Sequence, residues 1–383
     1  AKTLFPYTTL FRSVGVSQGG VWLAHVGHSS DEQETELATA LDALRALLGG
    51  PRPKVLLASV RGTLSSLFAP ANPEARQLDG VLVWVVAAEA AHASYALRLP
   101  GAQLGVACGE LWLKLEHLQT GGSFKARGML NRLLANPIPE SGVIVASGGN
   151  AGIATAAAAR ALGVRCEVFV PTVSSPAKRE RLRELGADVV VTGAVYAEAL
   201  AACLARQQDS GALLTHAYDQ AEVVQGAGTL AMEIEAQAGV PGSVLVSVGG
   251  GGLIGGIASW FGGRSRVVAL EPELAPTLYR AREAGEPVDV AVSGIAADSL
   301  GAKRIGAIAW DVTQRHVQDA LLLPDGAIRD AQLWLWKQMK IAVEPAAALG
   351  LAALQTGAYS PRPDETVCLV ICGANVDPAT LAA

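Results

Sequence analysis

The main pattern in this chain, from about residue 94 onward, is an alternation of short apolar runs with longer alanine-rich stretches. The apolar runs are rich in Val, Ile and Leu, which is typical of strands buried on both faces of a parallel sheet. They cover residues 142–146, 166–170, 188–191, 243–248, 266–270 and 366–371. Helical patterns follow four of these runs, near residues 151–162, 177–185, 196–206 and 255–261. The sequence therefore predicts an α/β fold in which helices cover both sides of parallel sheets.

The preceding block, residues 14–90, has a similar pattern of its own. Apolar, β-branched runs predict strands at residues 21–26, 54–60 and 81–86. The residues SDEQ at 30–33 resemble a capping box, which predicts a helix to about residue 48. This short α/β fragment carries no catalytic group of residues. It bears a faint resemblance to the reactive-intermediate (enamine/imine) deaminase family, and a truncated or frameshifted upstream fragment is the alternative.

The first 13 residues are set apart from the fold. The stretch TLFPYTTLFRS, at residues 3–13, resembles the translation of a common short-read sequencing adapter. We therefore predict that residues 1–13 are an assembly scar and that the true N-terminus is missing.

The composition of the chain argues against several classes of function. The 383 residues carry a net charge of −5 and no basic block, which argues against a nucleic-acid surface. No apolar run reaches the roughly 20 residues that a membrane-spanning helix needs. Five cysteines, an odd number without a CxxC pair, are typical of a reduced cytoplasmic protein with neither disulfides nor a zinc site.

The first candidate for chemistry is Lys125, in the stretch SFKARG after a Gly-Gly turn. The position predicts a lysine near a helix N-terminus, where positive potential and partial burial lower the pKa of an amine. A neutral amine is what attack on an aldehyde requires. The alternative is a solvated lysine on an amphipathic helix.

Three further motifs each follow a predicted strand. SGGNAG, at residues 147–152, predicts a cluster of backbone N–H groups that binds an anion, with Asn150 adding a side-chain amide; a helix N-cap in a tight turn is the alternative. Four glycines at 249–252 allow the backbone to close around a phosphate. Cys372 follows the last predicted strand, where a small polar group faces the crevice of an α/β sheet; a buried structural cysteine is the alternative.

The glycine stretch also permits a different class of function. Gly250, Gly252 and Gly255 spell GxGxxG between a predicted strand and a helix. Glu271, 21 residues beyond Gly250, stands where a dinucleotide site places its ribose-binding acid. An NAD(P)-binding oxidoreductase is therefore an alternative, although it leaves SFKARG and SGGNAG without a role.

In this order, SFKARG, SGGNAG, GGGGL and CGAN resemble the motifs of the fold type II pyridoxal-phosphate enzymes, and among them the serine/threonine dehydratase (threonine ammonia-lyase) family. The resemblance covers residues 94–383. It implies two doubly wound parallel-sheet domains, like those of the tryptophan synthase β subunit, at residues 91–383, with a smaller inserted domain at about 126–222. It also implies a cytoplasmic homodimer that acts on an amino acid.

The resemblance also implies a role for each motif. Lys125 matches the lysine that forms a Schiff base with pyridoxal 5′-phosphate and removes the Cα proton. The implied cofactor-binding residues are Phe124, Lys125, Asn150, Gly249, Gly250, Gly251, Gly252, Leu253 and Cys372. The implied substrate-binding residues, which grip the carboxylate, are Ser147, Gly148, Gly149, Asn150 and Ala151. Glu271 and Ala275 match ligands of a structural monovalent or divalent cation.

The predicted reaction is dehydration and deamination of L-threonine, L-serine or both to a 2-oxo acid and ammonia. A serine racemase or a hydroxyaspartate dehydratase of the same family is the alternative. Racemases of this family carry a serine where this chain has Gly148, which favours dehydration. Lys125-Ala126-Arg127 departs from the Lys-Asp-Arg of cysteine and threonine synthases. Because the chain ends soon after CGAN, we expect no C-terminal regulatory domain.

Overall fold

The computed structural model describes Gly101, Val106 and residues 108–381, together with the backbone of five strands nearer the N-terminus. The predicted helix at residues 30–48 lies outside the described residues. The strands, in chain order, are β1 (Phe11–Val16), β2 (Trp22–Val26), β3 (Val55–Val60), β4 (Leu82–Val85), β5 (Ala96–Pro100), β6 (Glu110–Lys114), β7 (Val143–Ala146), β8 (Cys166–Val170), β9 (Asp188–Val191), β10 (Leu213–Leu214), β11 (Ser243–Ser247), β12 (Arg266–Pro272), β13 (Val317–Leu323) and β14 (Thr366–Val370).

Helices connect most of these strands. The α-helices are α1 (Lys125–Leu134), α2 (Asn150–Leu162), α3 (Pro176–Glu184), α4 (Tyr196–Ser210), α5 (Ala221–Ala238), α6 (Gly252–Phe261), α7 (Thr277–Ala284), α8 (Ala307–His316), α9 (Asp325–Trp334) and α10 (Pro345–Gln355). Short 3₁₀ turns cover Glu116–Leu118 and Pro378–Leu381, and a π-helical turn, Leu335–Met339, follows α9. Within the described part of the chain, no helix has the length and apolar character that crossing a membrane requires.

The strands form three sheets. β1 to β4 make a four-stranded sheet in chain order, antiparallel between β1 and β2 and parallel beyond. A second, parallel sheet has the order β10-β7-β8-β9. The third has six strands in the order β13-β12-β11-β14-β6-β5, and in it only β5 runs antiparallel to its neighbour. The predicted α/β class with two parallel sheets covered by helices is confirmed.

The two parallel sheets come from different parts of the chain. The strands of the β10-β7-β8-β9 sheet all lie between residues 143 and 214, whereas those of the six-stranded sheet lie before and after that segment. This separation supports an inserted domain at about 126–222. We keep that domain division as a proposal.

Burial explains which strands the pattern revealed. Every residue of β7, β8 and β11 is buried, and these strands are mainly apolar, apart from Glu167 in β8 and the serines at the two ends of β11. β13 was not predicted, because at the sheet edge it mixes buried and half-exposed positions. β6 was not predicted either, because it ends in Lys114, a charged side chain that is nevertheless fully buried.

Helices α1, α5 and α6 pack closely against one another through glycines. A Cβ atom on Gly128 of α1 would lie 2.7 Å from the carbonyl oxygen of Val223 in α5. A Cβ atom on Gly226 of α5 would lie 2.7 Å from the Cα atom of Gly128. A Cβ atom on Gly256 of α6 would lie 2.5 Å from the backbone nitrogen of Gly228. These contacts set the spacing of α1, α5 and α6, and with it the positions of the two loops that precede α1 and α6.

Candidate functional site

One cavity collects the ends of strands from both parallel sheets. The space between its walls is about 490 Å³, a figure that includes open solvent at the mouth. Its lining residues are Phe124, Lys125, Asn150, Tyr218, Ser247, Gly249, Gly250, Gly251, Gly252, Leu253, Ser299, Leu300, Glu344, Ala346 and Cys372. The structure thus brings together every predicted cofactor-binding residue.

Lys125 is the first residue of α1, as the sequence predicted. Its Nζ atom lies 5.2 Å from the centre of the Phe124 ring and donates a hydrogen bond to the carbonyl oxygen of Ala217. Burial lowers the pKa of Lys125 to about 8, and the nearby Cys372 and Glu344 only partly oppose this shift. At pH 7 roughly a tenth of this amine is therefore neutral, far more than for a solvated lysine with a pKa of about 10.4.

The chain around Lys125 is fixed to the chain around Cys372. The Phe124 N–H donates to the Cys372 carbonyl oxygen at 2.9 Å, and Ser123 forms an isolated antiparallel bridge with Gly373. Cys372 is 5% exposed, and burial raises the pKa of its thiol far above the usual range. The thiol is therefore a neutral group, in contact with Ser247. That chemistry fits a partner for a pyridine nitrogen that must not be held protonated.

The four-glycine loop connects β11 to α6, and each glycine borders another part of the chain. Gly251 has φ of +89°, in the left-handed region that favours glycine. A Cβ atom on Gly250 would lie 2.3 Å from the Tyr218 ring, and one on Gly251 would lie 2.4 Å from the Cβ atom of Ala309. The loop ends at the N-terminus of α6, where unpaired backbone N–H groups favour an anion. A phosphate fits this cradle.

Asn150 begins α2, so the SGGNAG loop is a helix N-terminus. Asn150 reaches the cavity, whereas Ser147, Gly148, Gly149 and Ala151 are not among its lining residues. The Gly149 N–H donates to the Ser147 hydroxyl at 3.3 Å. Gly149 is the N-cap of α2, and no side chain caps the helix, so the loop is a helix N-terminus in a tight turn. This geometry is compatible with anion binding, because the first N–H groups of a helix attract an anion.

Glu344, a cavity residue that the sequence interpretation missed, contacts this loop. It is 5% exposed and lies directly before α10. Burial raises the pKa of its carboxyl group. The signal in the sequence is a single acid before a proline in the apolar stretch VEPAAALGLAAL. Tyr218, Ser247, Ser299, Leu300 and Ala346 also line the cavity and were not predicted.

Glu271 and Ala275 lie away from this cavity wall. Glu271 is fully buried, and its two carboxylate oxygens accept the backbone N–H groups of Leu278 and Tyr279 at 2.7 and 2.8 Å. Burial raises the pKa of Glu271 to about 7. The carboxylate thus caps α7 and is not exposed to a ribose, which counts against the oxidoreductase alternative. Among the described residues, no group of three or more His, Cys, Asp or Glu side chains is arranged to hold a metal ion. The cation site stays a prediction.

Comparison with known proteins agrees with this geometry. The family described as "Pyridoxal-phosphate dependent enzyme" matches residues 94–373. An L-threonine ammonia-lyase of Geobacter sulfurreducens is 35% identical over 277 residues, which cover 71% of this chain and 69% of that protein. A serine racemase of Arabidopsis thaliana is 30% identical over 282 residues, covering 71% and 84% of the two chains.

A solved structure extends the likeness to the fold. The processed threonine deaminase isoform 2 of Solanum lycopersicum matches with a TM-score of 0.71 at 26% identity, over 77% of this chain and 82% of that one. The predicted family, fold type and cofactor class are confirmed by these matches.

Proposed function

This chain belongs to the pyridoxal-phosphate dependent enzyme family, and we propose that it is an ammonia-lyase that dehydrates and deaminates L-threonine, L-serine or both. The β-hydroxyl group leaves as water, and hydrolysis of the resulting enamine takes up one water, so the products are a 2-oxo acid and ammonia. One observation carries the proposal: a buried lysine with a lowered pKa shares one cavity with a glycine cradle, a neutral thiol and an asparagine. Relatives named threonine ammonia-lyase support the same reaction.

Different cavity residues would contact different parts of the cofactor. Residues 249–253 would bind the phosphate, Asn150 the ring oxygen and Cys372 the pyridine nitrogen, while Phe124 would flank the ring. Lys125 would hold the cofactor covalently through its amine. When bound, pyridoxal phosphate withdraws electrons from the substrate Cα and so makes its proton removable.

Lys125 is the group that we propose takes this proton. The other ionisable residues of the cavity are Tyr218, Glu344 and Cys372. Burial raises the pKa of the Tyr218 hydroxyl to about 12 and also raises the pKa of the Cys372 thiol, so both stay protonated near neutral pH and neither is a base. The Glu344 carboxylate already accepts hydrogen bonds from Asn150 and Asn375. A neutral lysine amine, released when the substrate amine takes its place, is the base that remains.

The substrate carboxylate would bind at the N-terminus of α2, among residues 147–151. The backbone N–H groups there form hydrogen bonds to an anion, and the helix dipole adds to the attraction. A carboxylate held there would place Cα near Lys125, because Asn150 of the same turn lines the cavity with Lys125. This orientation favours proton removal from one face.

Elimination is preferred over racemisation because Gly148 matches the position at which racemases of this family carry a serine. Racemisation needs a second acid that returns a proton to the other face, and Gly148 has no side chain to supply one. Ser174 has its hydroxyl oxygen 3.0 Å from where a Gly148 Cβ would stand, but Ser174 is not among the lining residues. We therefore rank a serine racemase second.

We infer further that the protein is a cytoplasmic homodimer. All five cysteines are free thiols, which fits a reducing compartment. Dimerisation follows from the family resemblance and is tested by sedimentation velocity.

The reaction is tested by adding pyridoxal phosphate to the purified protein and measuring visible absorbance and 2-oxo acid release from L-threonine and L-serine. We expect a visible band, 2-oxo acid from at least one substrate, and loss of both in Lys125→Ala. Absence of band and product in the unaltered protein would overturn the proposal. Binding of a nicotinamide cofactor instead would favour the oxidoreductase.

A further inference from the structure

Glu344 connects two motifs that are far apart in the chain, the SGGNAG loop and the CGAN loop. It lies between the cavity and the loop that follows Cys372, and its backbone N–H donates to the Gly373 carbonyl oxygen at 3.0 Å. One of its carboxylate oxygens accepts the Asn375 backbone N–H at 2.9 Å. The Asn150 side-chain nitrogen donates to both oxygens, at 2.9 and 3.0 Å. Glu344 is therefore held in place by the CGAN loop and in turn contacts the SGGNAG loop.

The Asn150 amide is fixed from its other side as well. Its side-chain oxygen accepts a hydrogen bond of 2.7 Å from the side-chain nitrogen of Asn375. The same nitrogen donates to the Gly121 carbonyl oxygen at 2.7 Å. Since Asn375 has its nitrogen turned toward Asn150, Asn150 must present its oxygen to Asn375 and its nitrogen to Glu344.

This arrangement leaves only one orientation of the Asn150 amide. An amide has one acceptor oxygen and a nitrogen with two hydrogens, and a half-turn exchanges them. Rotation of Asn150 would set its oxygen against the Glu344 carboxylate and its nitrogen against the Asn375 nitrogen. Both contacts would be repulsive. The nitrogen of Asn150, and with it the side chain's donor capacity, is therefore fixed at the cavity wall.

We propose that Glu344 is a positioning residue that holds the Asn150 amide as a hydrogen-bond donor toward the ring oxygen of the bound cofactor. The inference rests on the proposed function, because it assigns a purpose to the same cavity. Glu344 acts through Asn150. We therefore expect that replacing Glu344 changes the affinity for the cofactor and the pH dependence of the cofactor's absorbance. The carboxylate is well suited to this task because it is almost fully buried and has no donor to offer when ionised.

Glu344→Gln is the sharpest test, since it preserves size and removes one acceptor. Both carboxylate oxygens face donors, so the new NH₂ group must oppose either Asn150 or the Asn375 N–H. An unpaired buried polar contact costs about 1–3 kcal/mol, so we expect the dissociation constant for pyridoxal phosphate to rise by roughly 5- to 150-fold. We also expect a shift in the pH dependence of the visible band. Dissociation constants are measured by fluorescence titration of the cofactor-free protein.

Glu365→Gln is the matched control. Glu365 is 7% exposed and accepts hydrogen bonds from the Tyr359 hydroxyl at 2.6 Å and the Arg362 N–H at 3.0 Å, but it does not line the cavity. We expect this variant to lose thermal stability while its cofactor affinity stays within about twofold of the unaltered protein. If both variants weaken cofactor binding equally, Glu344 has only a structural role and the proposal is overturned.

The double variant Asn150→Asp/Glu344→Gln separates positioning from stability. Its glutamine can donate to the new aspartate, so the pair is reconnected with donor and acceptor exchanged. We expect thermal stability to recover relative to Glu344→Gln while cofactor affinity does not. Recovery of both would overturn the proposal. In contrast, a missing visible band in the unaltered protein would count against the proposed function itself, so the two failures are distinguishable.

Discussion

The guanidinium group of Arg127 and the carboxylate of Glu116 form a paired, fully buried contact, with N–O distances of 2.7 and 2.8 Å. The same guanidinium donates to both oxygens of Glu233, at 2.8 and 2.6 Å, and Lys114 donates to Glu233 at 2.7 Å. Two positive and two negative groups thus join β6, α1 and α5. Because Arg127 lies two residues after Lys125, this charge cluster fixes the helix that begins with the candidate catalytic lysine.

We predict that Arg127→Ala lowers the free energy of unfolding by about 3–5 kcal/mol. The variant removes the guanidinium group that pairs with the fully buried Glu116 and with the partly buried Glu233, and breaking one partner of a buried ion pair costs about this much. Urea unfolding of the cofactor-free protein measures the effect. Arg132→Ala is the control, because Arg132 also belongs to α1 but its pair with Glu222 is partly exposed, at 3.1 Å. We expect about 0–1 kcal/mol for that change. Equal losses of unfolding free energy in the two variants would show that the buried charge cluster stabilises the fold no more than a partly exposed ion pair does.

The pKa of Lys125 gives a second prediction. The amine must be neutral to attack the cofactor aldehyde, and burial lowers its pKa from 10.5 to about 8. The rate at which the visible band appears after pyridoxal phosphate is added should therefore rise with pH around a midpoint near 8. Stopped-flow absorbance of the cofactor-free protein measures this rate. A midpoint near 10.5 would show that the lysine is solvated.

The lowered pKa of Lys125 also makes the free energy of unfolding depend on pH, and the direction of this dependence follows from the direction of the shift. Between pH 8 and 10.5 the unfolded chain binds a proton at Lys125 that the folded protein does not bind. The contribution of this residue to the free energy of unfolding therefore increases with pH over that interval. Lys125→Met removes the contribution, so its stability should gain less from rising pH than that of the unaltered protein.

A third prediction concerns the glycine cradle. A methyl group at Gly250 would lie 2.3 Å from the Tyr218 ring, so either the loop or the ring must move. We expect Gly250→Ala to weaken pyridoxal-phosphate binding by at least about tenfold, equivalent to about 1.4 kcal/mol. Equilibrium titration measures the change.

Gly326→Ala is the control for Gly250→Ala. Gly326 lies in α9, and a Cβ atom there would have no neighbour within 4 Å. An alanine in a helix is favoured over glycine by about 0.5–1 kcal/mol, so this variant should be slightly more stable with unchanged cofactor affinity. Weakened binding in both variants would mean that the effect is not local to the cradle.

The sequence was most informative where burial is uniform. β8 at Cys166–Val170 was predicted to the residue, because all five positions are buried and only Glu167 interrupts the apolar pattern. The four motifs were also informative, since each follows a strand whose carboxyl end faces the same cavity.

Contacts between distant residues could not be predicted. Glu344 meets Asn150 across 194 positions, and Arg127 meets Glu233 across 106, while neither acid belongs to a local motif. Glu271 shows that a spacing that fits a known site can also mislead. Its distance from Gly250 fitted a ribose-binding acid, but the carboxylate turns to the backbone of α7. Spacing along the chain does not determine which way a side chain points at the end of a strand.

The last prediction tests the assignment of elimination over racemisation through Gly148. A serine introduced there has its Cβ 3.0 Å from the Ser174 hydroxyl oxygen and 3.3 Å from a methyl group of Val170. The Ser174 hydroxyl is buried without a hydrogen-bond partner among the described residues. Replacing Ser174 by alanine therefore makes room for the new side chain at position 148 at little cost in stability. We expect Gly148→Ser alone to be destabilised, and Gly148→Ser/Ser174→Ala to fold normally and to form D-serine from L-serine. Chiral chromatography detects the product.

Ser174→Ala is the control that identifies the source of any racemisation. If the unaltered protein already forms D-serine and Ser174→Ala abolishes it, the Ser174 hydroxyl is the second acid and the racemase assignment replaces elimination. If neither protein forms D-serine while the double variant does, the empty position at Gly148 is what makes the enzyme an eliminator. That outcome would follow because racemisation needs a proton donor on the face opposite Lys125, and the introduced serine would supply one.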